Sequence, residues 1–148
     1  MLELLLVMSI LAILSSGAAI WFFGYQRQVE VNSVSKMIVD TLRDAQSRSI
    51  SGKDFAKWGV YFDATGNRFI LFRDDGTGYS GAAVKEENYL SSFVKIGNVS
   101  LAGGGNEIIF NNPGGGTAQY GTVRIEQSND SASFKNVIVT SLGKIDRQ

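Results

Sequence analysis

Cysteine and histidine are both absent from the 148 residues, and proline occurs once, at Pro113. Without cysteine no disulfide can staple the fold. The compartment stays open, since cysteine-free proteins occur on both sides of a membrane. Without histidine the commonest general base and the commonest transition-metal ligand are missing together. A zinc site would have to be built from carboxylates alone. Net charge is lacking too: 14 basic residues balance 14 acidic ones, so nothing in the composition pulls the chain toward nucleic acid or anionic lipid. No Walker-type glycine-lysine loop is present, so the glycine clusters at 103–105 and 114–116 are read as turns. Asp75 and Glu86 have the end spacing of a calcium loop, but Thr77 and Tyr79 lie between and Ser80 stands where glycine is needed. Asp74 and Asp75 are expected to cap a turn instead. No spacing marks a serine nucleophile with a lysine base. Asn98-Val99-Ser100 and Asn129-Asp130-Ser131 match the N-glycosylation pattern, which is common by chance and is assigned no function. These absences point away from an enzyme, and neither a cofactor nor a metal is expected.

What is present is uneven. From Leu4 to Gln26 the only ionisable side chain is the weak acid Tyr25. At the α-helical rise this apolar run covers about 35 Å, enough to span a bilayer core. Trp21 and Tyr25 fall at one end of it, where aromatic residues prefer the interface. A transmembrane helix is the expectation. A cleavable signal peptide fits less well, because the residues ahead of the run are Met1-Leu2-Glu3 and the first basic residue, Arg27, lies beyond it.

Helical patterning continues past the run. Val31, Val34, Ile38, Leu42 and Ala45 recur at three- and four-residue steps, with Met37 beside them. Lys36, Asp40, Arg43, Asp44 and Arg48 occupy the other faces, which is an amphipathic helix. No proline interrupts residues 1–50, and Gly52 is a plausible stop. One helix of about 75 Å is expected.

After Gly52 the period changes to that of strands. Trp58–Phe62 and Arg68–Arg73 flank Asp63-Ala64-Thr65-Gly66-Asn67, which is turn chemistry for a hairpin. Residues 79–92 read as a loop with room for one helical turn. Further strands are expected at 93–96, 98–101, 107–110, 122–126 and 134–140, antiparallel because they are close in sequence. One sheet face would cover the apolar side of helix 31–45. The organisation expected is 1–26 anchor, 27–52 amphipathic half of the same helix, and 53–148 a β-rich head.

Glu3 is not explained by an anchor alone. A carboxylate entering lipid costs a few kcal/mol unless paired. It can sit at headgroup level and complement the positive end of the helix dipole, or it can seek a positive partner on a neighbouring chain.

The run Leu2-Glu3-Leu4-Leu5-Leu6-Val7-Met8-Ser9-Ile10-Leu11-Ala12-Ile13-Leu14 resembles the N-terminal signature of type IV pilins and pseudopilins. That signature is a short leader ending in glycine, then Phe-Thr-Leu-Ile-Glu-Leu-Leu-Val and an apolar helix, and Glu3 falls on its glutamate. Asp40–Ser49, Trp58–Phe62 with Phe72–Gly76, Ile109–Gly114 followed by Gly121-Thr122-Val123, and Val137–Ile145 are similar, in the same order, to H-type minor pseudopilins and FimT-like minor pilins. Two features depart from the pattern. Met1 stands where an apolar residue is usual, so coding sequence for a basic leader is expected upstream. The proline common in this family's membrane helix is missing, which leaves Gly17 and Gly24 as the points where the helix can loosen.

The resemblance implies an α+β pilin-like fold, a long N-terminal helix packed on an antiparallel sheet. It implies a structural subunit that polymerises through that helix. The filament-core positions are then Leu4, Leu5, Leu6, Val7, Ile10, Leu11, Ile13 and Leu14, with Glu3 pairing with the free N-terminal amine of an adjacent subunit. Implied partners are further pilin subunits, a prepilin peptidase and an inner-membrane assembly platform, the subunit passing from the cytoplasmic membrane to a surface filament. Variants on the theme are a pseudopilin of a type II secretion system and a minor pilin of DNA uptake. DNA-binding relatives carry a C-terminal Gly-Arg-x-Arg motif. Here Gly143-Lys144-Ile145-Asp146-Arg147 keeps charge at Lys144 and Arg147, but Asp146 intrudes, and a solvated chain end is the preferred reading. The rival from another class is a single-pass membrane protein with a ligand-binding β head, which leaves Glu3 unexplained.

Overall fold

The computed structural model describes residues 2–148, with side chains described for 2–13 and 28–148. Helix α1 runs Leu2–Ile50. Its end is set by Gly52, which takes a left-handed conformation (φ 64°) that side-chain-bearing residues enter at a cost. The chain then forms β1 (Lys57–Asp63), β2 (Arg68–Asp74), β3 (Lys85–Tyr89), β4 (Val94–Leu101), β5 (Glu107–Phe110), β6 (Gly121–Gln127), β7 (Asp130–Val139) and β8 (Ile145–Arg147).

The strands make two four-stranded sheets, not one. The first has the order β3-β2-β1-β5 and the second β4-β6-β7-β8, and every pairing is antiparallel. The β1–β2 hairpin pairs Trp58 with Arg73 and Phe62 with Phe69, as the turn chemistry predicts. The carboxylate of Asp63 accepts a hydrogen bond from the Gly66 N–H at 2.8 Å and closes the turn. Within β1 the alternation is plain. Trp58, Val60 and Phe62 enter the core, while Gly59 has no room for a side chain, since a Cβ there would lie 2.6 Å from the Ile108 carbonyl.

Both sheets close over the same side of α1. The continuous core takes Val31, Val34, Ile38, Val39, Leu42 and Ala45 from the helix. From the first sheet it takes Trp58, Phe69 and Phe110 among others, and from the second Val94, Ile125, Val137 and Ile145. The amphipathic spacing predicts this face correctly, and Met37, beside the stripe, remains half exposed.

Three local expectations change. Residues 79–92 do hold a single helical turn, Tyr79–Gly81, but Lys85–Tyr89 is a strand at the edge of the first sheet. The two short strands expected at 93–96 and 98–101 are one strand, with a register shift between Ile96 and Asn98. The chain end is strand β8, which pairs Val139 with Ile145 and Val137 with Arg147.

The segment before β3 also covers the first sheet's outer face. Alternation turns Ile70 and Phe72 away from the helix, yet both are fully buried. Tyr79 folds back over that face, stacking on Tyr61 with ring centroids 3.9 Å apart and meeting Phe72 edge-on. Its backbone N–H donates to Glu107 at 2.8 Å, and the Lys85 ammonium sits 4.1 Å from its ring centroid. Burial pushes the Tyr79 phenol up from its ordinary value.

Candidate assembly interface

The first turns of α1 present an unusual surface. Leu2, Leu4, Leu5, Leu6, Val7, Met8, Ile10, Leu11 and Ile13 are all exposed, from 48% at Ile10 to 80% at Leu2. They fill nine of the twelve positions from 2 to 13, with an unbroken run at 4–8, and so cover every side of the helix. A helix that is apolar all round is stable only inside lipid or inside a bundle of other helices. Polar side chains between residues 2 and 13 are only Glu3 and Ser9. The Ser9 hydroxyl donates to the Leu6 carbonyl at 2.8 Å and is satisfied within its own helix. Glu3 stands exposed in the first turn, where a carboxylate complements the helix dipole. This region thus brings Glu3 onto the same turns as Leu4, Leu5, Leu6, Val7, Ile10, Leu11 and Ile13.

Leu14, Gly17 and Gly24, with Trp21 and Tyr25, fall outside the residues whose side chains are described. Among the described residues no helix is long and apolar enough to cross a membrane, and most of the span expected over 4–26 lies beyond them. Nor do the described residues hold a cluster of three or more acidic ligands for a metal ion. Asp74 accepts the backbone N–H groups of Gly76 and Gly78, both at 2.9 Å, while Asp75 pairs with Arg73 at 3.0 Å.

The second half of α1 is held to the head by polar locks as well as by its apolar stripe. Buried Ser49 accepts from the Trp58 N–H at 2.8 Å and donates to the Trp58 carbonyl at 3.3 Å, tying the helix end to β1. The Gln46 amide donates to the carbonyls of Gly115 and Gly143, each at 2.8 Å, and so anchors two loops at once. Arg48 bridges Asp44 at 2.7 Å and Glu86 at 2.6 Å while lying over the Trp58 ring.

The C-terminal basic pair does not form a joint patch. The Lys144 ammonium pairs with Asp146 at 2.6 Å. Arg147 reaches α1 instead, where Nη1 donates to the Asn32 carbonyl at 3.0 Å and lies 3.4 Å from the Ser35 hydroxyl. The solvated end expected from sequence is therefore a paired strand docked on the helix. Ile145, buried with only 5% of its surface exposed, is the apolar residue of this strand that marks the docking. Docking also places Arg147 beside Lys36 and Arg43 around a groove of about 250 Å³.

The class defined by this geometry is α+β, a long N-terminal helix whose second half is cradled by antiparallel sheet and whose first half projects. No family model matches the chain, and no curated protein matches it in sequence. Solved structures do share the fold, and they are pilin-like. The minor pseudopilin EpsH from the Type 2 Secretion System of Vibrio cholerae aligns over 80% of this chain and 96% of its own, with 12% identity and a TM-score of 0.59. The type IV minor pilin FimU of Pseudomonas aeruginosa (strain PAO1) aligns over 79% and 91%, with 11% identity and a TM-score of 0.58. The chain has a pilin-like fold.

Proposed function

We propose that the chain is a structural subunit of a type IV pilus or related filament, and not an enzyme. One observation carries this: an all-round apolar, exposed helical segment with a lone carboxylate in its first turn, projecting from a pilin-like head. Before assembly, residues 1–26 anchor the subunit in the cytoplasmic membrane with the head, 53–148, outside. During assembly the same segment leaves lipid for a shared core of helices. Residues 27–52 stay packed on the head throughout. Glu3, which the N-terminal motif resemblance sets at the pilin glutamate, fixes axial register by pairing with the N-terminal amine of the neighbouring subunit after a prepilin peptidase removes a leader. An assembly platform supplies the extraction step. Repeated head-to-tail contacts generate an open helical polymer at the cell surface. A secretion pseudopilus would use the helix in the same way. Nucleic acid has no part in the proposal, because Lys144 is paired with Asp146 and Arg147 is bound to α1.

The test is Glu3→Ala in cells that make the full chain. Filaments sheared from the surface and counted by electron microscopy are expected to fall sharply, while the head stays folded by protease resistance. Unchanged filament yield would sink the role given to Glu3.

A further inference from the structure

The loop that joins α1 to β1 is strained where it is most exposed. Asp54 and Phe55 are consecutive non-glycine residues with left-handed backbones, φ 60° and φ 54°. Such a conformation is disfavoured for residues with a side chain, more for Phe55 than for Asp54, and is typically retained where it serves a contact. Here it turns the Phe55 ring fully into solvent, at 102% exposure. The strain and the complete exposure of an aromatic side chain are separate anomalies, and neither contributes to the core. The knob stands at a cleft bordered by Asp54, Asp74 and Asp75 and by Lys57, with Asp75 paired to Arg73, which leaves a net excess of one negative charge.

A surface with a net excess of one positive charge lies elsewhere on the chain. Between α1 and β8 the groove of about 250 Å³ has Lys36, Arg43 and Arg147 on its rim against Asp40 and Asp146, with Val39 and Ile145 at its base. Arg147 is held at that rim by its bond to the Asn32 carbonyl.

We propose that the Phe55 knob of one subunit seats in the α1–β8 groove of the next, its acidic border facing the basic rim. The inference rests on the filament reading and names one head-to-head contact within it. Knob and groove are different surfaces of one chain, so the contact is heterologous and does not close on itself. It extends a polymer instead of stopping at a dimer. Opposite charges steer the approach and fix its register, and the ring supplies the buried anchor.

Two measurements on filaments of the full chain test this. Since the chain has no cysteine, the pair Ala56→Cys and Asp40→Cys introduces the only thiols. Mild oxidation is expected to give a ladder of dimers, trimers and higher species from the double variant and no ladder from either single variant. Separately, Phe55→Ser is expected to lower filament yield about tenfold, the loss typical of removing a buried anchor. The exposed position makes a folding defect a poor explanation. Charge reversal by Asp54→Lys with Asp74→Lys should lower yield as well, with recovery when Lys36→Glu and Arg43→Glu are added. Normal filaments without a ladder, or dimers from Ala56→Cys alone, overturn the contact and leave the filament reading intact. No filaments from the unaltered chain overturn both.

Discussion

The two halves of α1 belong to one helix but are stabilised by different things. Residues 31–49 meet the head, with Ile38, Leu42 and Ala45 fully buried and Ser49 tied to Trp58. Residues 2–13 present nearly every large side chain to solvent. Amphipathicity separates them. The second half has one apolar stripe, which a single partner can cover. The first half is apolar all round and needs an environment that surrounds it, whether lipid or copies of itself. A helix built this way carries its folding contacts at one end and an uncovered apolar surface at the other.

That contrast can be broken most decisively by truncating matched leucines. Leu42→Ala is expected to cost the full-length chain about 2–5 kcal/mol in denaturant unfolding, since it empties a fully buried site. Leu5→Ala, at a position 71% exposed, is expected to leave the same unfolding curve in place and to act on filament yield alone. Equal destabilisation by the two would show that the first half also folds against the head.

A smaller effect is expected at the polar lock. Ser49→Ala leaves the buried Trp58 N–H without its acceptor, which costs about 1–3 kcal/mol. The same unfolding assay reads it, and a change below a few tenths would mean that the helix end is held by its apolar stripe alone.

The smallest expected effect is one of pH. In the β1–β2 turn, the Gly66 N–H and then the Arg68 guanidinium hold the Asp63 carboxyl below its ordinary value of 3.8. A depressed folded value means that the carboxylate contributes stability above the unfolded pKa. That contribution is lost as pH falls through the lowered folded value. Asp63→Asn should therefore be slightly less stable than the parent at neutral pH, and the two should converge on acidification below about pH 4. A gap that stays constant with pH would assign the turn's stability to hydrogen bonding without charge. Exposure of the site keeps the effect small.

Much of this architecture was legible in the chain. The helix, its buried stripe and its glycine stop follow from spacing and backbone freedom, and the first hairpin follows from turn chemistry between aromatic and β-branched runs. Less of the sheet arrangement was legible. β3 reads Lys85-Glu86-Glu87-Asn88-Tyr89, with no apolar alternation to announce it. It is a strand because β2 offers a free edge and Arg48 and Arg68 meet its carboxylates. Charged residues on such an edge also discourage pairing with foreign strands. At the tail, Arg147 looked like a free cation because the carbonyl it binds, at Asn32, lies 115 residues away.

By itself, then, the sequence determined the long helix, the change from helical to strand periodicity at Gly52, and an apolar segment with Glu3 inside it. These are local properties, set by spacing and backbone freedom. Only the tertiary structure decided that eight strands divide into two sheets around one helix face, that the C-terminal strand docks on α1, and that Phe55 is held in solvent while Phe62 and Phe110 are buried. Those outcomes depend on which distant surfaces meet, and nothing in a residue's immediate neighbours records that.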